Sequence, residues 1–196
     1  TDVSPLHSKW VLKCKKLVNE MKLTKQFCQA QNAYGAESYI RGFSGYVCEI
    51  LTVHYGSFLS LIRNAAKWND KIVIDAGKYY KGKDVFKLIN TSKLASPLIV
   101  VDPVQKDRNA AAALSAEKFE AFKKAAKEFL KSPSKEFFTG KDMTMAFLKK
   151  KSGGTALVMA KASPLGGKID VIGSKLLKIY EFLLAGGSDY CGFPMR

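Results

Sequence analysis

The stretch RGFSGYVCEILTVHYGSF, residues Arg41–Phe58, decides how the chain is built. Phe43, then Ser44, then an apolar run predicts a helix N-terminus. A hydroxyl there can cap free N–H groups, with an apolar residue just outside the helix. From Tyr46 onward the run is apolar almost all round, so the helix must be covered on several sides rather than along one stripe. Gly45, in the first turn, leaves room for another backbone or a ligand to come close. Gly56 then stops the helix, and Ser57 caps a second one that runs to about Trp68. The stretch predicts the central core helix of a helical layer.

Before it, residues 8–30 carry a helical period: Trp10, Val11, Cys14, Leu17, Val18, Met21 and Phe27 recur at three- and four-residue steps. The same segment carries Lys9, Lys13, Lys15, Lys16, Lys22 and Lys25 against the single carboxylate of Glu20. A solvated helix face normally mixes signs, so this one favours a phosphate-bearing partner. After the core helix, KIVID and PLIVVDPV read as short strands and DVFKLI as a weaker one. AGKYYKGKD between them is a loop. Asp102-Pro103 ends the last strand in a turn, and Ala110–Ala113 form a helical turn. Ser115 caps a long amphipathic helix that stops before Pro133, with Phe119, Phe122, Ala126 and Phe129 facing the core.

The expected architecture is α+β and mainly helical. A central domain over residues 1–140 has a few short strands. A basic linker over 141–154 (KKKSGG) leads to a partial α/β unit over 155–196. In that last unit TALVMAKAS reads as a strand, IDVIGSKLLKIYEFLLAGG as a helix and YCGFPMR as the opening of another strand. Such a start cannot cover its own sheet, so the unit reads as incomplete.

The net charge of +15 over 196 residues points to a polyanion, most often a nucleic acid. There is no lipidation motif, signal peptide or transmembrane-length apolar run, so a membrane role and export are not expected, and a cytoplasmic location is. Cys14, Cys28, Cys48 and Cys191 lack CxxC spacing and only two histidines exist, which argues against zinc. Cys14, Cys28 and Cys48 fall on apolar helical faces and read as reduced core thiols. No two carboxylates stand two residues apart on a strand to hold a pair of Mg²⁺ ions, and there is no P-loop, GxSxG or HExxH. The residues promise binding chemistry without a visible reaction centre.

SPLHSKWV, YGAESYIRGFSGYVCEILTVHYGSF, IVID, LIVVDPVQKDRNAAAALS and SPSKEFF occur in one order. Together they resemble the archaeal-type (class I) CCA-adding enzymes, the tRNA nucleotidyltransferases. The resemblance is close from residue 4 to about residue 138 and continues weakly through GGTALVMAK and KIYEFL. It implies a protein with a catalytic head, a helical central domain, and body and tail parts that hold tRNA. Such a protein adds C, C and A to the tRNA 3′ end from CTP and ATP with Mg²⁺. It further implies that this chain is the central domain and the start of the tail. The head, with its Gly-Ser loop and metal-binding carboxylates, would be missing, and the chain alone would be inactive. The head could belong to the same protein or to a separate partner chain.

The resemblance assigns residues one by one. Ser4 stands where the family has a threonine near the sugar. His7, Lys25 and Tyr34 match positions that contact the triphosphate. Arg108 matches the position that reads the base together with tRNA backbone phosphate. The residue types agree: lysine is a point charge for triphosphate, and arginine is a planar donor fork. Asn109 beside Arg108 could donate to backbone or RNA. Arg41 and Ser44, with a helix N-terminus behind them, form a further candidate RNA phosphate site. Each has a bland reading too: Lys25 as one more solvated lysine, Tyr34 as a core-edge aromatic, His7 as a polar helix start, Arg108 as a surface charge beside Asp107. Phe43, Tyr46 and Cys48 read as core. The rival to the family reading is a stand-alone RNA-binding module that has lost catalysis.

Overall fold

The computed structural model describes residues 3–89, 94–140, 144–153 and 161–191. The chain divides into two units: Thr1–Ala36 with Ile40–Lys141, and Glu37–Tyr39 with Asp142–Arg196.

The first unit is built around the opening stretch. Helix α3 spans Gly45–Tyr55. The Ser44 hydroxyl accepts from the Val47 N–H at 3.1 Å, as the sequence predicts for an N-cap. Gly56 closes α3 in the left-handed region (φ 79°), where a side chain is disfavoured, and Ser57 caps α4, Phe58–Ala65. The two helices bend 93° from each other at this break. Among the described residues no single helix is long and apolar enough to cross a membrane. Val47, Cys48, Ile50 and Leu51 of α3 are fully enclosed by the other elements of the core.

The helix expected over residues 8–30 is two helices. α1 covers Ser4–Leu12 and α2 covers Val18–Ala30, with a 3₁₀ turn at Lys15–Leu17 between them. The break falls in the lysine-dense segment, where only Cys14 and Leu17 are partly buried and little packing holds a straight helix. The strands are β1, Ile72–Asp75, and β2, Leu98–Val101, paired in parallel with Asp75 opposite Val101. β2 is buried along its whole length, which its unbroken apolar run required. DVFKLI is not a strand. It forms a short helix α5, Val85–Leu88, because the Asp84 carboxylate accepts from the Phe86 N–H and caps it. Helix α6, Ala116–Lys131, is capped by Ser115 and buries Phe119, Phe122 and Ala126, with Phe129 packed against the same cluster. Phe27 stands among Phe58, Phe122, Phe129 and Phe137, so an aromatic cluster ties α2, α4 and α6 into one core.

In the second unit, the stretch read as a linker carries helix α7, Met145–Lys151, capped by Thr144. Helix α8 runs Ile169–Cys191, so Tyr190 and Cys191 end a helix rather than open a strand. Most of the expected strand TALVMAKAS, and the GFPMR end, lie outside the described residues. Among the described residues the architecture is α+β and mainly helical.

Candidate functional site

The site grows from the C-terminal end of β2. Asp102 follows the strand directly and has no solvent exposure. A buried carboxylate is costly unless its oxygens are satisfied, and these are. Oδ1 accepts from the Val104 N–H at 2.8 Å, the Gln105 N–H at 3.3 Å and the Tyr46 hydroxyl at 3.1 Å. Oδ2 faces the Arg108 guanidinium at 2.9 Å and His7 Nε2 at 3.1 Å. His7, on α1, stacks on Tyr46, on α3, with ring centroids 4.1 Å apart and planes 19° off parallel. Burial, then the Asp102 charge and hydrogen bond, hold the Tyr46 phenol well above its ordinary pKa, so it stays a neutral donor. One buried anion thus gathers three side chains from three parts of the chain.

A second set stands one helical turn along α3. Lys25, on α2, pairs with Glu49 at 2.6 Å. Burial works against the Lys25 charge, but the hydrogen bond and attraction of Glu49 outweigh it and leave its pKa above the ordinary lysine value. Lys25 therefore remains a cation at any physiological pH. The Tyr34 hydroxyl reaches over Gly45: a Cβ there would come 2.9 Å from it and 3.8 Å from Lys25 Nζ. Tyr34 is raised by burial, with Lys25 opposing. A groove of about 410 Å³ joins the two sets, lined by Ser4, His7, Ser8, Val11, Leu12, Tyr46 and Glu49. Ser4 and His7 line this groove, Arg108 reaches His7, Lys25 holds the lining residue Glu49, and Tyr34 stands over Gly45 beside Lys25. The cluster offers two cations, each already oriented by a carboxylate (Lys25 by Glu49, Arg108 by Asp102), with a phenol, an imidazole and a hydroxyl around an open groove. That suits a phosphate-bearing ligand with a base to be oriented.

The profile of the tRNA nucleotidyltransferase second domain matches residues 19–139. The chain belongs to that family. Among similar proteins is the CCA-adding enzyme of Nanoarchaeum equitans, 48% identical over 121 residues, which cover 61% of this chain and 31% of that protein. The CCA-adding enzyme of Methanococcus maripaludis strain C7 is 37% identical over 184 residues, 92% of this chain and 41% of the relative. That of Pyrococcus abyssi is 40% identical over 179 residues, with 87% and 39% covered. The chain therefore spans well under half the length of these relatives. The match is to the central domain of an archaeal-type CCA-adding enzyme.

Within this second domain the remaining predicted residues separate. Arg41 is exposed, with a left-handed backbone (φ 56°), and its carbonyl accepts from the Ser115 N–H at 2.8 Å. Ser44 stands close by in sequence, with its hydroxyl oxygen engaged as the α3 cap. Asn109 is only 3% exposed. Its Oδ1 accepts from the Val100 and Ala111 N–H groups, each at 2.9 Å, and its Nδ2 donates to the Leu98 carbonyl at 3.4 Å. It stitches the turn after β2 back onto the strand, and that interior placement sets it apart from an RNA-facing residue.

Asp107 precedes Arg108 in the sequence, and the guanidinium meets Asp102, six residues before it. Tyr46 packs against the core, as its sequence context predicts, and in addition donates to Asp102; the local sequence does not single out Glu49. The available signal was an aspartate at the C-terminal end of a buried parallel strand, a place where ligand sites gather in open α/β sheets. Asp102 and Glu49 do not fit a Mg²⁺ site, because each is already committed to a cation. Among the described residues no three His, Cys, Asp or Glu side chains gather into a metal-binding group.

Proposed function

We propose that the chain is the nucleotide- and tRNA-binding portion of a CCA-adding tRNA nucleotidyltransferase, which extends the tRNA 3′ end with C, C and A from CTP and ATP. The observation that carries this is the Asp102 cluster. His7, Tyr46 and Arg108 are held on one buried carboxylate, beside the groove that Ser4 and Glu49, the partner of Lys25, also line.

The part played by these residues is positioning. Lys25, His7 and Tyr34 would hold the triphosphate, with the Ser4 hydroxyl near the sugar. Arg108 would meet the base edge and a tRNA phosphate. The RNA 3′-hydroxyl is then in line with the phosphoryl group it attacks, and orientation is the main thing a protein contributes to such a transfer. Arg41 and Ser44, at the α3 N-terminus, supply a further contact for the RNA backbone. The Mg²⁺ ions and the carboxylates that hold them would come from a catalytic head, in the same protein or in a partner chain.

The test is 3′-end labelling of tRNA that lacks CCA, with labelled CTP or ATP and Mg²⁺, using this chain alone and then with a catalytic head supplied. Label incorporated only on complementation is the expected result. Incorporation by the chain alone would place a carboxylate site within it and overturn the division of labour. No incorporation in either case, with salt-sensitive tRNA binding intact, would leave a stand-alone RNA-binding module.

A further inference from the structure

The loop AGKYYKGKD, residues 76–84, takes no part in the groove, yet its tyrosines are fixed more firmly than a solvated loop needs. The Asp75 carboxylate accepts from the Tyr80 N–H at 2.8 Å, which sets the start of the loop at the end of β1. Lys78 adopts a left-handed backbone (φ 56°), a conformation that lysine avoids unless the surroundings impose it. Tyr79 is thereby folded back onto Gly77, so closely that a Cβ on that glycine would collide with ring atoms Cε2 and Cδ2. The Tyr79 hydroxyl donates to the Pro103 carbonyl at 2.6 Å, and the Tyr80 hydroxyl to the Lys106 carbonyl at 2.9 Å. Both anchors lie on the turn that carries Arg108.

The result is a ring clamped by its edge and backed by a bare glycine, yet 47% exposed. Lys78, Lys81 and Lys83 of the same loop, and Lys106 whose carbonyl anchors Tyr80, are all exposed. Three carboxylates stand near: Asp75 is partly buried and holds the Tyr80 N–H, Asp84 caps α5 and pairs weakly with Lys87, and Asp107 adjoins Lys106. A fixed, half-exposed aromatic ring in a lysine-rich loop matches single-stranded nucleic acid, where the base stacks and the phosphates meet the lysines. A solvated lysine loop would need neither the Gly77 backing nor the hydroxyl clamp.

We propose that Tyr79 is a stacking platform for an unpaired RNA base, with Lys78, Lys81 and Lys83 holding the neighbouring phosphates. This rests on the reading of the chain as tRNA-binding and adds to it a contact for unpaired nucleotides. A free nucleotide could offer the same base and phosphates, so the experiment separates the two.

The full-length protein is titrated with a hairpin RNA bearing unpaired 3′ nucleotides, one of them 2-aminopurine, with the same stem made blunt, and with CTP. Tyr79→Leu should weaken binding of the overhang RNA about 5- to 150-fold. It should abolish the quenching of 2-aminopurine and leave the blunt stem unaffected. Tyr79→Phe, which keeps the ring and loses only the clamp, should retain the quenching and most of the affinity. Because Tyr79→Leu could disturb the loop, Lys81→Ala with Lys83→Ala serves as a second probe. It should lower the salt slope for the overhang RNA by about 0.7 for each phosphate no longer neutralised. Equal losses for the Leu and Phe variants on both RNAs would reduce Tyr79 to a strap and overturn the proposal, as would unchanged overhang binding or an unchanged salt slope. A loss confined to CTP would assign the ring to a free nucleotide instead. Failure of the unaltered protein to bind any RNA would overturn the broader reading and this proposal with it, an outcome distinct from all of these.

Discussion

At the scale of residues, Asp102 is the group whose removal should be most informative. Asp102→Asn keeps an oxygen for the Tyr46 hydroxyl and the backbone N–H groups, and removes the charge facing Arg108 and His7. Charge-assisted hydrogen bonds of this kind contribute about 1.5–3 kcal/mol, less where one partner is as open to water as Arg108. In the complemented enzyme the variant should raise KM for CTP roughly tenfold with kcat little changed, because an uncoordinated guanidinium must be ordered by the ligand itself. On an Arg108→Ala background the same change should cost far less. Additive losses would mean that Asp102 supports the fold and not Arg108. Steady-state kinetics of the two single variants and the double variant decide the matter.

At the scale of elements, α3 is fitted to its neighbours by two glycines that differ in kind. Gly42 lies in a backbone clamp: its N–H donates to the Gly35 carbonyl at 2.6 Å, and the Phe43 N–H donates to the Ala33 carbonyl at 2.6 Å. A Cβ at Gly42 would run into the Ala33 carbonyl oxygen, which cannot swing away. Gly42→Ala should therefore cost about 1–3 kcal/mol of stability, read as a lowered urea midpoint. At Gly45 the obstacle is the Tyr34 hydroxyl, the far end of a side chain. Gly45→Ala should fold with a loss under about 1 kcal/mol, but displace the Tyr34 hydroxyl from its place beside Lys25 and weaken CTP binding. If both variants lost the same stability, the distinction between backbone and side-chain obstruction would fail. Urea titration and calorimetric CTP binding on the same samples check it.

At the scale of the whole molecule, net charge is the feature that the proposed RNA binding would depend on most. The net +15 and the exposed lysines of α1, α2 and the β1–α5 loop predict binding dominated by counterion release. Affinity for a tRNA acceptor stem should fall about a hundredfold or more between about 50 and 200 mM salt, as four or more phosphate contacts require. Filter binding across that range measures it, and a flat dependence would show the lysines to be a solubility coat. Salt should have a smaller effect on the intramolecular Asp102 ion pair, because its carboxylate is shielded from solvent.

Local sequence rules by themselves determined the helix caps at Ser44, Ser57 and Ser115, the stop at Gly56 and the two short strands. Caps, stops and apolar runs are short-range facts, written in adjacent residues. The same rules failed where competition was local and close. DVFKLI alternates weakly enough that one capping aspartate turned it to helix, and the residue 8–30 helix broke where packing was thin. The candidate residues Ser4, His7, Lys25, Tyr34 and Arg108 were legible through the family resemblance. Composition and spacing alone left His7, Lys25, Tyr34 and Arg108 each with a bland reading, and for Lys25 the better one. Only the tertiary structure decided which charges meet. His7 and Arg108 are 101 positions apart and Lys25 and Glu49 are 24 apart, and nothing in the intervening sequence encodes either meeting. A buried carboxylate draws cations from wherever the fold brings them, so its partners are settled by the enclosure of Asp102 in three dimensions and not by its neighbours in the chain.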